Sequence, residues 1–330
     1  MRAMLTVPFW QERLPGLAVA ACVAVTAQFL SEHYGAPALL MAILLGIALN
    51  FLGEEGRTAP GIAFAARDVL RIGVALLGLR ISAGMFADLG AGPVALILVA
   101  VAATIGFGLG FARRFGAPRA FGFLTAGAVA ICGASAAMAL AALLPKGPRA
   151  ERDLVFAVVG VTVLSTVAMI LYPMLAAALG LDSRLTGIFL GATIHDVAQV
   201  VGAGFSVSDE AGKTATLVKL IRVALLAPVV LVAALVLRAA ATGPRPPLLP
   251  GFVIAFLVLA AINSVVAVPA WLTEAAVATS RAALLVAIAA VGMKTSLGRL
   301  REVGGAAMAL LLAETVFLML LVLGGLALIG

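Results

Sequence analysis

The densest group of reactive side chains stands in one apolar stretch, Gly191-Ala192-Thr193-Ile194-His195-Asp196-Val197-Ala198-Gln199-Val200-Val201-Gly202. Helical spacing puts His195 and Gln199 on one face, with Asp196 beside them. An imidazole next to a carboxylate can take up and release a proton near neutral pH, so His195 and Asp196 are the candidates for proton or ion coupling. The same three groups could instead form a buried network that only locks helices together. A second stretch, Gly127-Ala128-Val129-Ala130-Ile131-Cys132-Gly133-Ala134-Ser135-Ala136, sets Cys132, Gly133 and Ser135 among small residues. Glycine weakens a helix by up to ~1 kcal/mol relative to alanine. One reading is a helix interrupted here, whose inner N-terminus offers free N–H groups and a positive dipole end to an anion. The other is an intact helix with a close-packing face. Gly292, Thr295 and Ser296 interrupt a third apolar run.

Cations outnumber acids in these runs. Lys219 and Arg222 share a helical face three residues apart, Arg67 and Arg71 lie four apart, and Arg281 stands within an apolar run that Lys294 closes. The corresponding acids are Asp68, Asp196 and Glu314. Basic side chains close to a span's end can snorkel to headgroups, but a cation-rich interior favours an anionic ligand over a cationic one. Asn263 and Ser264 add neutral polar groups in another run. The candidate ligand residues are therefore Cys132, Gly133, Ser135, Gln199, Lys219, Arg222, Asn263, Ser296 and Arg71. A metal is not expected, because His33 and His195 are the only histidines and Cys22 and Cys132 sit in separate apolar runs. The chain has no phosphate-loop lysine, nucleophile elbow or dinucleotide glycine pattern, which argues against an enzyme, an organic cofactor and ATP.

The elements that must position these residues are membrane helices. Of 330 residues, 64% are hydrophobic and 11% charged, where a soluble domain carries about 25% charge. A lipid span takes about 20 mostly apolar residues. On that ruler there are eleven candidates, near 15–31, 36–53, 64–82, 89–112, 119–145, 153–180, 184–205, 213–238, 250–268, 271–297 and 303–329. The net charge of +7 reads as membrane topology rather than nucleic-acid binding, because most Lys and Arg stand in short connections. One side collects Arg2, Arg13, Arg57, Arg113, Arg114, Arg119, Arg184, Arg238, Arg245, Arg299 and Arg301, and the other Arg80, Lys146, Arg149, Arg152 and Lys213. Positive residues favour the inside, which puts the N-terminus in the cytoplasm and the C-terminus outside an inner (plasma) membrane.

Ile43-Leu44-Leu45-Gly46-Ile47-Ala48-Leu49-Asn50 in span two resembles Ile188-Phe189-Leu190-Gly191-Ala192-Thr193-Ile194-His195 in span seven. Arg71-Ile72-Gly73-Val74-Ala75-Leu76-Leu77 similarly resembles Arg222-Val223-Ala224-Leu225-Leu226. Both pairs lie five spans apart, and an odd offset is the sign of an inverted repeat. A rival pairing of Gly78-Leu79-Arg80-Ile81-Ser82 with Gly292-Met293-Lys294-Thr295-Ser296 has a different offset. The five-span register, held over consecutive spans, predicts an extra N-terminal helix (about 15–31), a first repeat (about 36–180) and a second (about 184–330). It pairs spans five and ten as the two interrupted helices.

These residues resemble the YeiH-type family, labelled as sulfate exporters, over nearly the whole chain. The elements that carry the likeness are Leu44-Leu45-Gly46-Ile47, Leu70-Arg71-Ile72-Gly73, Gly78-Leu79-Arg80, Ile131-Cys132-Gly133-Ala134, His195-Asp196-Val197-Ala198-Gln199-Val200-Val201, Lys219-Leu220-Ile221-Arg222-Val223 and Asn263-Ser264. The family is similar to the bile-acid/sodium symporters and sodium–proton antiporters. That likeness implies an all-α polytopic membrane protein with inverted five-helix repeats and two crossed discontinuous helices. It also implies secondary transport of a small anion, such as sulfate or an organosulfonate, coupled to a proton or sodium ion. Membrane lipid and a second copy of the chain are the partners expected by that analogy. A passive anion channel and a non-transporting scaffold or sensor are the alternatives.

Overall fold

The computed structural model describes residues 7–34, 37–81, 83–144, 148–236, 251–266, 268–295 and 305–329. Ser296 and the loop cations Arg2, Lys146, Arg238, Arg245, Arg299 and Arg301 lie outside the described residues. In chain order the helices are α1 (Val7–Tyr34), α2 (Ala38–Ala48), α3 (Phe51–Glu54), α4 (Ala59–Phe64), α5 (Leu70–Leu76), α6 (Ala83–Leu89) and α7 (Ala91–Phe111). They continue with α8 (Arg119–Ala130), α9 (Ala134–Ala141), α10 (Pro148–Ala178), α11 (Ser183–Thr193) and α12 (Val197–Val207). The last are α13 (Asp209–Ala224), α14 (Leu226–Val236), α15 (Gly251–Val265), α16 (Ala270–Lys294) and α17 (Gly305–Ile329). No strand occurs among the described residues.

Among them, six helices are long and apolar enough to cross a membrane: Phe9–Tyr34, Ala91–Phe115, Arg152–Ala178, Asp209–Val236, Ala270–Lys294 and Gly305–Ile329. The other apolar stretches that were expected as single spans are built from shorter helices, such as Ala38–Ala48, Arg119–Ala130, Val197–Val207 and Gly251–Val265. Hydropathy counts apolar residues and is blind to where the backbone stops being helical. Span five is interrupted at Ile131-Cys132-Gly133, as one of its two readings held. Span ten is not: α16 runs unbroken from Ala270 to Lys294, through Gly292. The second interruption falls in span seven, at Ile194-His195-Asp196 between α11 and α12.

The chain divides into two compact units. The first comprises Met1–Met85, Val201–Lys213 and Gly251–Ser296. Here α16 packs along α2 and α5, α1 along α2 and α4, and α15 along α5. Gly292 serves this packing. A Cβ built on it would stand 2.9 Å from the Gly46 Cα of α2, and one on Gly46 would stand 2.9 Å from the Gly292 Cα. The glycine in span ten therefore allows two backbones to touch, as small residues do in lipid, and does not unwind its helix. Ser280 on α16 donates to the Gly73 carbonyl of α5 at 2.7 Å. Arg80 donates to Asp209 at 2.6 Å, and Lys213 pairs with the same carboxylate at 2.7 Å.

The second unit comprises Phe86–Val200, Thr214–Pro250 and Leu297–Gly330. α7 and α8 form an antiparallel pair closed by a turn at Gly116, whose left-handed φ of 69° ends the first helix. α17 lies along α7, α8 and α11, and α10 runs beside α8, α9 and α11. Both interruptions belong to this unit up to Val200.

A side chain at Gly46 or Gly292 must push two backbones apart. Gly292→Val is expected to cost ~1–3 kcal/mol and to lower the melting temperature in detergent, whereas Gly110→Ala, where an added Cβ meets nothing, leaves it level or raises it. Equal melting curves for Gly292→Val and wild type would contradict the close α2–α16 contact.

Candidate functional site

α8 stops because Ile131 leaves helical geometry (φ −111°, ψ −86°) and Gly133 adopts φ +62°, ψ −128°. Two constraints require glycine there. Its φ lies in the region that side chains avoid, and a Cβ would stand 2.7 Å from Asp196 Cγ. α11 stops at Ile194, which turns extended (φ −65°, ψ 138°). Two helices thus end inside one apolar unit, and the last carbonyls of a helix have no intrahelical donor.

Lys219 and Arg222 supply those donors. Lys219 Nζ donates to Ile131 O at 2.7 Å and Ile194 O at 2.9 Å. Arg222 Nε donates to Ala130 O and Nη1 to Gly191 O and Ile194 O, each at 2.9 Å, while Nη2 donates to Val129 O at 2.8 Å. Both cations are buried, at 0% and 1% exposed. A cation at a helix C-terminus is favourable by up to ~2 kcal/mol when partly buried, and here two such ends share two cations. The planar guanidinium reaches both ends at once, as its fixed fork allows. α13 comes close enough to do this because Gly191 has no side chain; a Cβ there would meet the Val218 Cβ at 2.8 Å.

His195 is buried between the same elements. Its Nδ1 lies 3.2 Å from Val129 O and its Nε2 3.1 Å from Thr315 Oγ1 on α17. Thr315 Oγ1 also lies 2.9 Å from Leu311 O. Its single hydroxyl hydrogen can go to the carbonyl, with Nε2–H donating to the oxygen, or to Nε2 of a neutral ring.

The opposite polarity faces outward. Asp196 is partly buried, its backbone N–H donates to Ser165 Oγ of α10 at 3.0 Å, and its carbonyl accepts from Val200 in the first turn of α12. Its carboxylate accepts from the Ala134 N–H at the start of α9. The Ala136 N–H of that turn points to Cys132 Sγ. This side is less covered by the chain: Ala134 and Val197 are partly exposed and Ser135 is exposed, while His195, Lys219 and Arg222 behind them are not. Gln199 is buried one turn along α12, with Nε2 3.4 Å from Thr166 Oγ1 and no partner for Oε1 among the described residues.

The second unit therefore gathers Cys132, Gly133, His195, Asp196, Gln199, Lys219 and Arg222 at the two interruptions, with Ser135 at the accessible rim. Arg71 and Asn263 belong to the first unit and have partners there. Arg71, with its side chain 42% exposed, lies 3.7 Å from Asp68, and Asn263 Nδ2 donates to Ile81 O at 3.3 Å. Sequence reading missed Ser165, Thr166 and Thr315. Their only signal was a hydroxyl inside an apolar run, which a helix also absorbs by bonding back to its own carbonyls. It also expected the buried cations to face a ligand, whereas most of their donors go to backbone oxygens that every residue carries.

Residues 15–311 match the family described as conserved hypothetical protein 698. The chain is 63% identical to the UPF0324 membrane protein TauZ of Paracoccus pantotrophus over 326 residues, covering 97% of this chain and 96% of the relative. It is 61% identical to a UPF0324 membrane protein of Rhizobium meliloti, covering 96% and 93% respectively. The identity is 50% to one of Chlorobaculum tepidum, covering 94% and 88%. No solved structure matches the chain.

Arg222→Met strips the side-chain donors from Ala130 O and Gly191 O and leaves Val129 O with His195 alone, and breaking a buried charged contact costs ~3–5 kcal/mol. The variant is expected to aggregate or to melt well below wild type in detergent. Arg222→Lys should recover only part of the loss, because an ammonium cannot span both helix ends. Full stability in Arg222→Met would show that the carbonyls find other partners.

Proposed function

We propose that this chain, which belongs to the UPF0324 family of membrane proteins, the YeiH-type family, is a secondary transporter that moves a small anion by alternating access. One observation carries the reading: two buried cations, Lys219 and Arg222, stand against one carboxylate, Asp196, where two membrane helices are interrupted. With both cations protonated and Asp196 ionised, the group carries one net positive charge, which an entering anion would neutralise. The inner N-termini of α9 and α12 add N–H groups without intrahelical acceptors and positive dipole ends on the less covered side. Sulfate or a small organosulfonate fits this chemistry, because its oxygens accept several N–H donors at once.

In this reading Asp196 is the chain's own anion. While ionised it occupies the Ala134 amide at the mouth of α9. Protonation removes its charge, weakens its hold on that amide and frees the position for the substrate, so proton and anion travel together. His195 fixes the geometry behind the site through Val129 O and Thr315, whose hydroxyl can either accept from or donate to Nε2. Gln199 Oε1 and Ser135 stand ready to orient the ligand. We place the protein in the inner membrane with its N-terminus in the cytoplasm, on the loop cations.

Sulfate uptake into proteoliposomes, with and without an inward proton gradient, tests this. Wild type should accumulate sulfate above equilibrium only with the gradient. Asp196→Asn should cut that accumulation roughly tenfold, equivalent to about 1.4 kcal/mol of lost coupling. His195→Ala should lower it as well. Flux that never exceeds equilibrium would make the protein a channel, and silence toward sulfate, sulfonates and small carboxylates alike would end the transport reading.

A further inference from the structure

A second carboxyl lies apart from the two interruptions themselves, against the body of α8. Glu314 stands near the middle of α17 and is fully buried, at 0% exposed. Its Oε1 lies 2.9 Å from Thr125 Oγ1 on α8. It also lies against Gly108 on α7, where a Cβ would approach that oxygen to 2.7 Å. Oε2 has no hydrogen-bond partner among the described residues. Neither does the hydroxyl of Thr104, one turn before Gly108 on the same face of α7.

No ion pair among the described residues involves Glu314. α7 has no ionisable residue, and the turn after it has Arg113 and Arg114, both exposed. α8 has only Arg119, exposed at its start. α11 has only Arg184, which donates to the Asp88 and Leu89 carbonyls. α10 has Arg152 and Asp153 in its opening turns and Tyr172 near its end. His195, just beyond α11, is occupied with Val129 O and Thr315.

The Thr125 contact suits a group that changes protonation state. Thr125 Oγ1 lies 3.1 Å from Phe121 O as well as 2.9 Å from Glu314 Oε1. With Glu314 ionised, the hydroxyl donates to Oε1. With Glu314 protonated, its O–H donates to Thr125 Oγ1 and the hydroxyl turns to Phe121 O. Both states keep every hydrogen paired at this contact without moving a heavy atom.

From this geometry we propose that Glu314 is a second proton-binding site, built by α7, α8 and α17. As a coupling site it rests on the transport reading above. The proton comes from the aqueous phase and returns to it, interconverting carboxyl and carboxylate. α8 and α17 connect it to the anion site. Thr125 is one turn before Val129, whose carbonyl both Arg222 and His195 hold, and Glu314 is adjacent to Thr315, which holds His195 Nε2. Ionising Glu314 sets a negative charge beside that pair of helices, and discharging it removes the charge, so one proton biases the ends of α8 that the cations grip.

Two measurements test it, and the first does not need transport. Infrared difference spectra of the purified protein should show a carboxyl C=O stretch that comes and goes with pH and is absent in Glu314→Gln. If the substitution removes no titrating band, the proposal falls. In proteoliposomes, Glu314→Gln should retain sulfate exchange while its initial uptake rate loses dependence on pH and its gradient-driven accumulation falls to the exchange level. An unchanged pH profile overturns the coupling role, as does loss of exchange in a variant that melts like wild type, since that places Glu314 in the exchange step itself rather than at a separate coupling site. Absence of exchange in wild type would instead indict the transport reading and leave the infrared result to decide the site. Should Glu314→Gln fail to fold, Thr125→Val must shift the pH at which the carboxyl band disappears, and an unmoved midpoint overturns the proposal.

Discussion

Ending a helix inside an apolar unit creates bare carbonyls, and the second unit is organised around paying that debt. Lipid tails offer no hydrogen-bond donors or acceptors, so irregular backbone at membrane depth survives only where protein groups satisfy it. Lys219 and Arg222 do this for α8 and α11 together. Much else follows from their reach. α13 must lie against α11, which fixes glycine at position 191, and the two interruptions must come to one place. Remove the cations and neither helix end is tolerable there.

The same interruptions have a second pair of ends with the opposite polarity. Where α9 and α12 begin, the free groups are N–H donors, and the chain meets them with Asp196 and Cys132. The junction is therefore polarised: carbonyls and cations on the buried side, amides and one carboxylate on the less buried side. Gly133 holds the two sides together at their narrowest point, since its left-handed backbone starts α9 and its missing side chain admits the carboxylate.

The first unit solves a different problem. Its long helices α1 and α16 are continuous, and its glycines serve contact between backbones, as at Gly46 and Gly292. Its ion pairs, Arg80 and Lys213 with Asp209 and Arg71 with Asp68, involve partly exposed side chains, where such pairs contribute little. Glycine thus has two meanings in one chain. At 133 it breaks a helix, and at 292 it packs one.

That contrast marks what the sequence by itself determined. Composition alone established an all-helical membrane protein, because a chain that is 64% hydrophobic cannot cover itself with polar surface. The motifs at Ile131-Cys132-Gly133, His195-Asp196 and Lys219 to Arg222 marked the residues that the second unit gathers, since ionisable groups in apolar runs are costly and are kept for a reason. The tertiary structure decided the rest. It put the second interruption at Ile194-His195-Asp196 and left α16 whole, because hydropathy and glycine content look alike whether a helix bends, breaks or touches a neighbour. It assigned Arg71 and Asn263 to local partners in the other unit. It turned Lys219 and Arg222 toward backbone carbonyls, which no sequence distinguishes from one residue to the next. Which carbonyls are orphaned depends on where a helix stops in three dimensions, and that is a property of packing rather than of any residue's type.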